Sequence, residues 1–173
     1  MTVLGVKEVM RLLGLKPLQG EGGYYAETYR STHLLPPAAL PAGYGGPRSA
    51  GTAMFYLLTA DTFSRLHKLK GDEVYHFYLG DPVQMLTLSP EGSGETLLLG
   101  PNLADGQKLQ HVVPGGVWQG SRLRPGGRFA LMGTTMAPGF DIRDYEPGDP
   151  RVLAATYPGF AGLIKTLAPD VSR

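Results

Sequence analysis

The chain contains no cysteine. Disulfides, thiolate catalysis and cysteine-ligated zinc or iron–sulfur centres are therefore excluded. An excess of one charge is lacking too: 16 Lys and Arg against 15 Asp and Glu leave a formal net charge of +1. That balance gives no electrostatic footprint for nucleic acid, and no polybasic run addresses a membrane surface. Long apolar runs are missing; stretches such as Ala53–Leu58 fall far short of the roughly 20 residues that span a bilayer. Near the N-terminus, Lys7, Glu8 and Arg11 interrupt any signal-peptide core. The expectation is a cytoplasmic protein without nucleic-acid or membrane partners.

What the chain has in quantity is turn formers: 25 glycines and 15 prolines among 173 residues, with 42% apolar residues. An apolar share of that size separates it from disordered chains, and the length suits one domain over residues 1–173. Many turns in a foldable chain point to short strands. Eight candidates follow in order: Thr52–Thr59, Phe63–Leu69, Glu73–Leu79, Val83–Leu88, Thr96–Leu99, Lys108–Val113, Val117–Leu123 and Phe129–Met136. Between them lie Gly- and Pro-bearing turns such as Gly71-Asp72, Gly80-Asp81-Pro82 and Pro114-Gly115-Gly116. Tyr24–Arg30 also has strand composition, and residues 33–51 read as a long loop.

Helical spacing appears only at the ends. Val6, Val9, Met10 and Leu13 recur at i, i+3, i+4 and i+7, closed by Gly14. In the tail, Asp149 and Pro150 sit as N-cap and first helical residue, and Phe160, Leu163, Ile164 and Leu167 repeat the helical period. The fold class is all-β, a sandwich, jelly roll or barrel, with an N-terminal helix and short C-terminal helices.

Four histidines are present: His33, His67, His76 and His111. A tight hairpin at Gly71-Asp72 is expected to bring His67 and Glu73 to one interior. Side chains alternate along a strand, so Glu73, Tyr75 and Phe77 share a face and His76 takes the other. An imidazole beside a carboxylate is a ready proton-transfer pair near neutral pH; the plainer reading is a buried hydrogen bond satisfying two core groups. Trp118 is expected to face away from Gln119 and to pack in a core or dimer interface. Arg30 suits an anionic group, although a surface arginine is the usual outcome. Residues 137–141 read as a barrel-closing corner, and either Gln110 or His111 faces inward.

The stretch His67-x-Leu69-x3-Glu73-x6-Gly80 resembles the first motif of the cupin superfamily, and Pro114-Gly115-Gly116-Val117-Trp118-Gln119 resembles the second. The pattern implies a jelly-roll barrel with histidines and a glutamate converging on a metal. Two of the histidine positions are here Leu69 and Gln119, so a divalent metal, if held, has only His67, Glu73 and Gln119 as ligands, and no cofactor is assigned. With Glu21-Gly22-Gly23-Tyr24, Glu27–Ser31 and Ala137–Asp141, the ordered set is similar to a cupin subfamily grouped as domain of unknown function 985. That family usually carries His-Pro before Glu-Gly-Gly, where this chain has Gln19-Gly20. The group resembles the metal-free sugar-nucleotide 3,5-epimerases, which use a histidine base and a tyrosine acid. The resemblance implies His67 as base with Glu73 as its partner, and Tyr75 or Tyr24 as candidate acid. Gln119, Tyr75, Phe77, Tyr24, Glu21 and Arg30 are the candidate contacts to a carbohydrate-like ligand in the barrel of a homodimer. The alternatives are a non-catalytic metabolite binder and a metal-dependent enzyme.

Overall fold

A computed structural model describes residues 4–168; the extreme ends of the expected 1–173 domain lie outside the described residues. The chain opens with α1 (Val6–Leu13), which ends on Gly14 in the left-handed conformation (φ 62°). Short β1 (Lys16–Pro17) pairs with β2 (Tyr24–Arg30). β3 (Leu34–Leu35) and β4 (Arg48–Ser49) pair with each other within the expected loop. Eight longer strands follow: β5 (Thr52–Thr59), β6 (Phe63–Leu69), β7 (Glu73–Gly80), β8 (Val83–Leu88), β9 (Gly94–Leu99), β10 (Gln110–Val113), β11 (Trp118–Leu123) and β12 (Phe129–Met136). The three-residue β13 (Tyr145–Pro147) precedes α2 (Pro150–Thr156) and α3 (Ala161–Leu167).

These strands form two facing antiparallel sheets, ordered β1-β2-β5-β12-β7-β10 and β13-β6-β11-β8-β9. Period-two alternation sorts their side chains. Tyr56, Tyr75, Phe77 and Met132 of the first sheet meet Val83, Met85, Leu99 and Leu123 of the second in the central core. The opposite faces are covered by helices. Val9 of α1 packs on Leu57, Phe129 and Leu131, while α2 and α3 set Leu153, Ile164 and Leu167 against Leu66, Leu86 and Leu88. Trp118 joins that second outer layer, turned away from Gln119 as expected. The whole is a jelly-roll barrel flanked by helices. Asp149 caps α2 by accepting from the backbone N–H groups of Arg151 and Val152. Among the described residues no helix is long and apolar enough to cross a membrane.

One connection differs from expectation. β6 and β7 do not form a hairpin: β6 lies between β13 and β11, and β7 between β12 and β10. Residues 70–72 therefore carry the chain from one sheet to the other. The Pro114-Gly115-Gly116 turn packs against this crossover. Asp72 Oδ1 accepts from Gly115 N at 2.8 Å, and the Leu69 carbonyl accepts from Gly116 N at 2.8 Å. A Cβ at Gly115 would collide with the Lys70 carbonyl oxygen, so only glycine permits this approach.

The loop over residues 33–51 is also tied down. Arg48 is buried and forms a two-pronged pair with Asp144, Nε to Oδ2 at 2.6 Å and Nη2 to Oδ1 at 2.7 Å. Gly46 and Pro47 carbonyls take its remaining donor. Removing one partner of a buried pair strands the other charge, at a cost of about 3–5 kcal/mol. Arg48→Leu is accordingly expected to lower unfolding free energy by about that amount in urea titration. Arg48→Leu with Asp144→Leu should cost clearly less than the two single changes together. Additive losses would show that the pair is not coupled.

Candidate functional site

Near one end of the barrel the two sheets enclose a cavity of about 330 Å³. Its polar wall includes Glu21, Tyr25, Glu27, Arg30, Thr52, Glu73, Thr134 and Tyr145, and its apolar wall includes Leu18, Met54, Leu69, Met136, Phe140 and Ile142. Glu73 enters at the first residue of β7 and Gln119 near the start of β11, from opposite sheets. Gln119 Nε2 donates to Glu73 Oε2 at 2.8 Å, a fully buried bond. Gln119 is also the register partner of His67 on β6. The crossover, the glycine turn against it and the β6–β11 pairing thus place His67, Gln119 and Glu73 together, without the expected hairpin.

Glu21 is delivered by the glycine pair that follows it. Gly22 and Gly23 have φ of 103° and 70°, which side chains other than glycine rarely adopt. A Cβ at Gly22 would also collide with the Phe63 carbonyl. Ser64 Oγ donates to Glu21 Oε1 at 2.9 Å, Arg65 N to the Glu21 carbonyl at 2.8 Å, and the Tyr56 hydroxyl to the Gly22 carbonyl at 3.0 Å. His67 Nδ1 lies 2.7 Å from the Arg65 carbonyl. A carbonyl only accepts, so Nδ1 carries the proton and neutral His67 keeps its lone pair on Nε2. Nε2 is 4.0 Å from Glu21 Oε2, beyond hydrogen-bond reach. The Tyr145 ring stacks on His67, with centroids 5.0 Å apart.

Burial holds the Glu73 carboxyl above the ordinary carboxylate range, and the negative charge of Glu21 adds to this; His67, Thr134 and Gln119 oppose it. The Tyr145 phenol is pushed up to about 12, chiefly by burial and then by Glu21. Two polar atoms here are buried without a hydrogen-bond partner: Gln119 Oε1 and the Tyr145 hydroxyl oxygen.

The candidates from the sequence divide into four groups. Glu21, Glu73 and Arg30 line the cavity. His67 and Gln119, each 1% exposed, lie behind that wall. Tyr75 and Phe77 point inward as expected but belong to the central core. Tyr24 packs outward beneath α1, opposite Leu57; its neighbour Tyr25 is the one that lines the cavity, a one-residue shift that alternation enforces. Arg30 does not stand open to an anion. Nε and Nη2 donate to Glu27 at 3.0 and 2.6 Å, and Nη1 donates to the Phe140 carbonyl at 3.0 Å. Phe140, read as part of a closing corner, forms part of the wall.

Of the other histidines, His76 faces outward, bonded to Thr135 Oγ1 (3.0 Å) and Gln110 Nε2 (3.1 Å). Gln110 is thereby the outward member of the Gln110–His111 pair. Tyr145 was not foreseen. It arrives through β13, which pairs with β6, and three residues are too few to show a period. Ser64 and Thr134 carried no signal beyond their place on predicted strands.

The residues present do not fit a transition-metal centre. Leu69 and Gln119 occupy the positions where the resemblance implies imidazoles, and the Gln119 amide nitrogen is committed to Glu73. One imidazole, one carboxylate and one amide are a weak set for such ions, and among the described residues no three His, Asp or Glu side chains converge to hold one.

Comparison with known proteins follows this geometry. The family described as "Cupin superfamily (DUF985)" matches residues 7–147. An uncharacterized protein of Saccharomyces cerevisiae is 31% identical over 134 residues, which is 72% of this chain. The chain spans 66%, just under two thirds, of that relative's length. A hypothetical protein from Leishmania major superposes with a TM-score of 0.85 at 30% identity, covering 95% of this chain and 99% of its own. A Shewanella oneidensis protein gives 0.82 at 30% identity, covering 96% and 98%. A mutant of Bacillus subtilis oxalate decarboxylase gives 0.51 at 14% identity over 88% of this chain and 37% of its own, a likeness of fold.

The raised Glu73 value has a measurable sign. Ionisation of this carboxyl is opposed in the folded chain only. Stability is thus greatest below the unfolded value of about 4.3 and is lost as pH rises through the folded one. Relative to Glu73→Gln, the wild type should be most stable in acid and lose ground as pH climbs from about 4 to about 8. Unfolding midpoints of both proteins across that range test it; a flat or rising difference would contradict the placement.

Proposed function

The chain belongs to the cupin superfamily, in the family DUF985, and from that premise we propose that its cavity binds a small polar molecule of about monosaccharide size and moves a proton on it. That is the chemistry of an isomerase or epimerase. The observation that carries the reading is Glu73, a buried carboxyl held toward its neutral form on the wall of a cavity that also presents Glu21. A volume of about 330 Å³ sits at the small end of ligand clefts, about 300–1,000 Å³.

Two carboxyls in unlike environments are the usual source of an acid and a base in one site. In this reading the Glu21 carboxylate, oriented by Ser64, takes the proton from a carbon beside a carbonyl. The Tyr145 hydroxyl, and Glu73 in the protonated form that burial favours, donate hydrogen bonds to the oxygen on which negative charge develops. Protonated Glu21 then delivers that proton to the neighbouring carbon of the enediol while Glu73 passes a proton from the hydroxyl to the former carbonyl oxygen, which moves the carbonyl by one position. Return to the original carbon restores the substrate with its hydrogen exchanged. His67, with Nε2 turned toward Glu21 from behind the wall, is a positioning residue rather than the base.

The burial of His67 favours a second reading, non-catalytic binding, because the histidine that the resemblance casts as base does not line the cavity. Incubation in D2O with a panel of neutral, acidic and amino-bearing monosaccharides separates the two, with exchange of the hydrogen beside the carbonyl followed by NMR. Proton transfer predicts exchange that Glu73→Gln and Glu21→Gln each slow by about 10²–10⁴-fold. Line broadening of a sugar without exchange supports the binder. Neither broadening nor exchange overturns the cavity reading.

A further inference from the structure

Resting on the reading that the cavity binds a small molecule, we infer that this molecule presents a protonated amine and an apolar face, and is not an anion such as a sugar phosphate or nucleotide. Charge is the first ground. Three carboxyl groups, Glu21, Glu27 and Glu73, line the cavity with one guanidinium, Arg30, which is paired with Glu27 and leaves Glu21 and Glu73 without a cation of the lining. That guanidinium is already paired: each of its three nitrogens donates one hydrogen bond, two to Glu27 and one to the Phe140 carbonyl. Arg65 acts on Tyr145 through its charge, but neither it nor His67 lines the cavity. An anion entering here would meet uncompensated carboxylates in a setting where water screens them weakly.

Hydrogen-bonding capacity is the second ground, and it is independent of the first. Gln119 stands behind the wall with its amide nitrogen engaged by Glu73, so it orients Glu73 and does not itself meet a ligand. The Tyr145 hydroxyl oxygen is buried and unpartnered. Carboxylates accept through both oxygens. On the wall itself the carboxyl oxygens of Glu21 and Glu73 are acceptors for a donor-bearing ligand, and the Tyr145 hydroxyl both donates and accepts. An ammonium supplies three donors and no acceptor, together with the charge that two neighbouring carboxylates lack. Its arrival would favour ionisation of Glu73. Leu18, Met54, Leu69, Met136, Phe140 and Ile142 form the remaining wall, suited to an apolar body.

Three probes of one shape test the inference: benzylamine, benzyl alcohol and benzoate, which differ in charge and hardly in size. Calorimetric or NMR titration of the intact protein near pH 7 should find benzylamine bound at least about tenfold more tightly than benzyl alcohol, and benzoate weakest. Glu21→Gln and Glu73→Gln should each reduce the preference for benzylamine over benzyl alcohol; retained alcohol binding shows that the cavity still forms. The wild-type ranking stands as a test should either variant fail to fold. Benzyl alcohol or benzoate binding as tightly as benzylamine overturns the charge preference and leaves the cavity reading intact. No binding by any of the three overturns the inference, and failure of the monosaccharide panel as well removes the cavity reading with it.

Discussion

Glu73 stands in the barrel interior with its carboxylate oxygen taking a hydrogen bond from Gln119, a residue of the opposite sheet. Much of the interior follows from the need to keep that carboxyl there. An ionised carboxylate without partners in a protein interior costs several kcal/mol. Gln119, Thr134 and His67 draw the group toward ionisation, while burial and Glu21 push it back. The contest leaves it displaced from its ordinary range. A leucine in its place would satisfy the core more simply; a carboxyl kept under such strain at a cavity wall is better explained by what it does to a ligand.

Bringing these two residues together depends on two turns fitting into one another. Asp72 accepts from Gly115, and the absence of a side chain at Gly115 lets that turn rest on the Lys70 carbonyl. The fit aligns β11 with β6, so that Gln119 falls opposite His67, while β7 begins in the other sheet with Glu73 facing both. The short distance in sequence between His67 and Glu73 suggests strand neighbours. Their actual relation is across the barrel, which explains how an imidazole, an amide and a carboxyl can converge without crowding one strand.

Local chemistry made the strands and caps legible. The limits of Tyr24–Arg30, Thr52–Thr59, Phe63–Leu69, Val83–Leu88 and Phe129–Met136 coincide with the observed strands, because Gly and Pro mark their ends and apolar residues fill them. Asp149 and Gly14 act as the caps their positions suggest. With Glu73 taken as inward, alternation set Tyr75 and Phe77 inward and His76 outward. What alternation leaves open is the partner of each strand, and hence the crossover at residues 70–72. It also depends on phase: Tyr24 and Tyr25 are indistinguishable until α1 is seen to cover one of them. The loop at 33–51 looked unanchored because its anchor, Asp144, is 96 residues away from Arg48, and Tyr145 reaches the site on the segment that this same pair secures.

The substitutions at the two remaining motif positions act in one chemical direction. Leu69 puts an aliphatic wall where a ligating ring is implied, and Gln119 puts an amide that is neutral at every ordinary pH. Neither can neutralise the carboxyl that they adjoin, whereas an ion held by imidazoles would invert the local charge balance. Glu73 must then be accommodated by protonation, by hydrogen bonds or by a cation brought in with the ligand. The hydrogen bond from Gln119 is present on the protein side, and Arg30, the cavity's own cation, is already bound to Glu27. The barrel is thereby left with acceptors and carboxylates facing a cavity of limited volume. Its selectivity should consequently be set by the charge and donor count of what enters more than by shape, since the apolar wall discriminates only modestly among bodies of similar size.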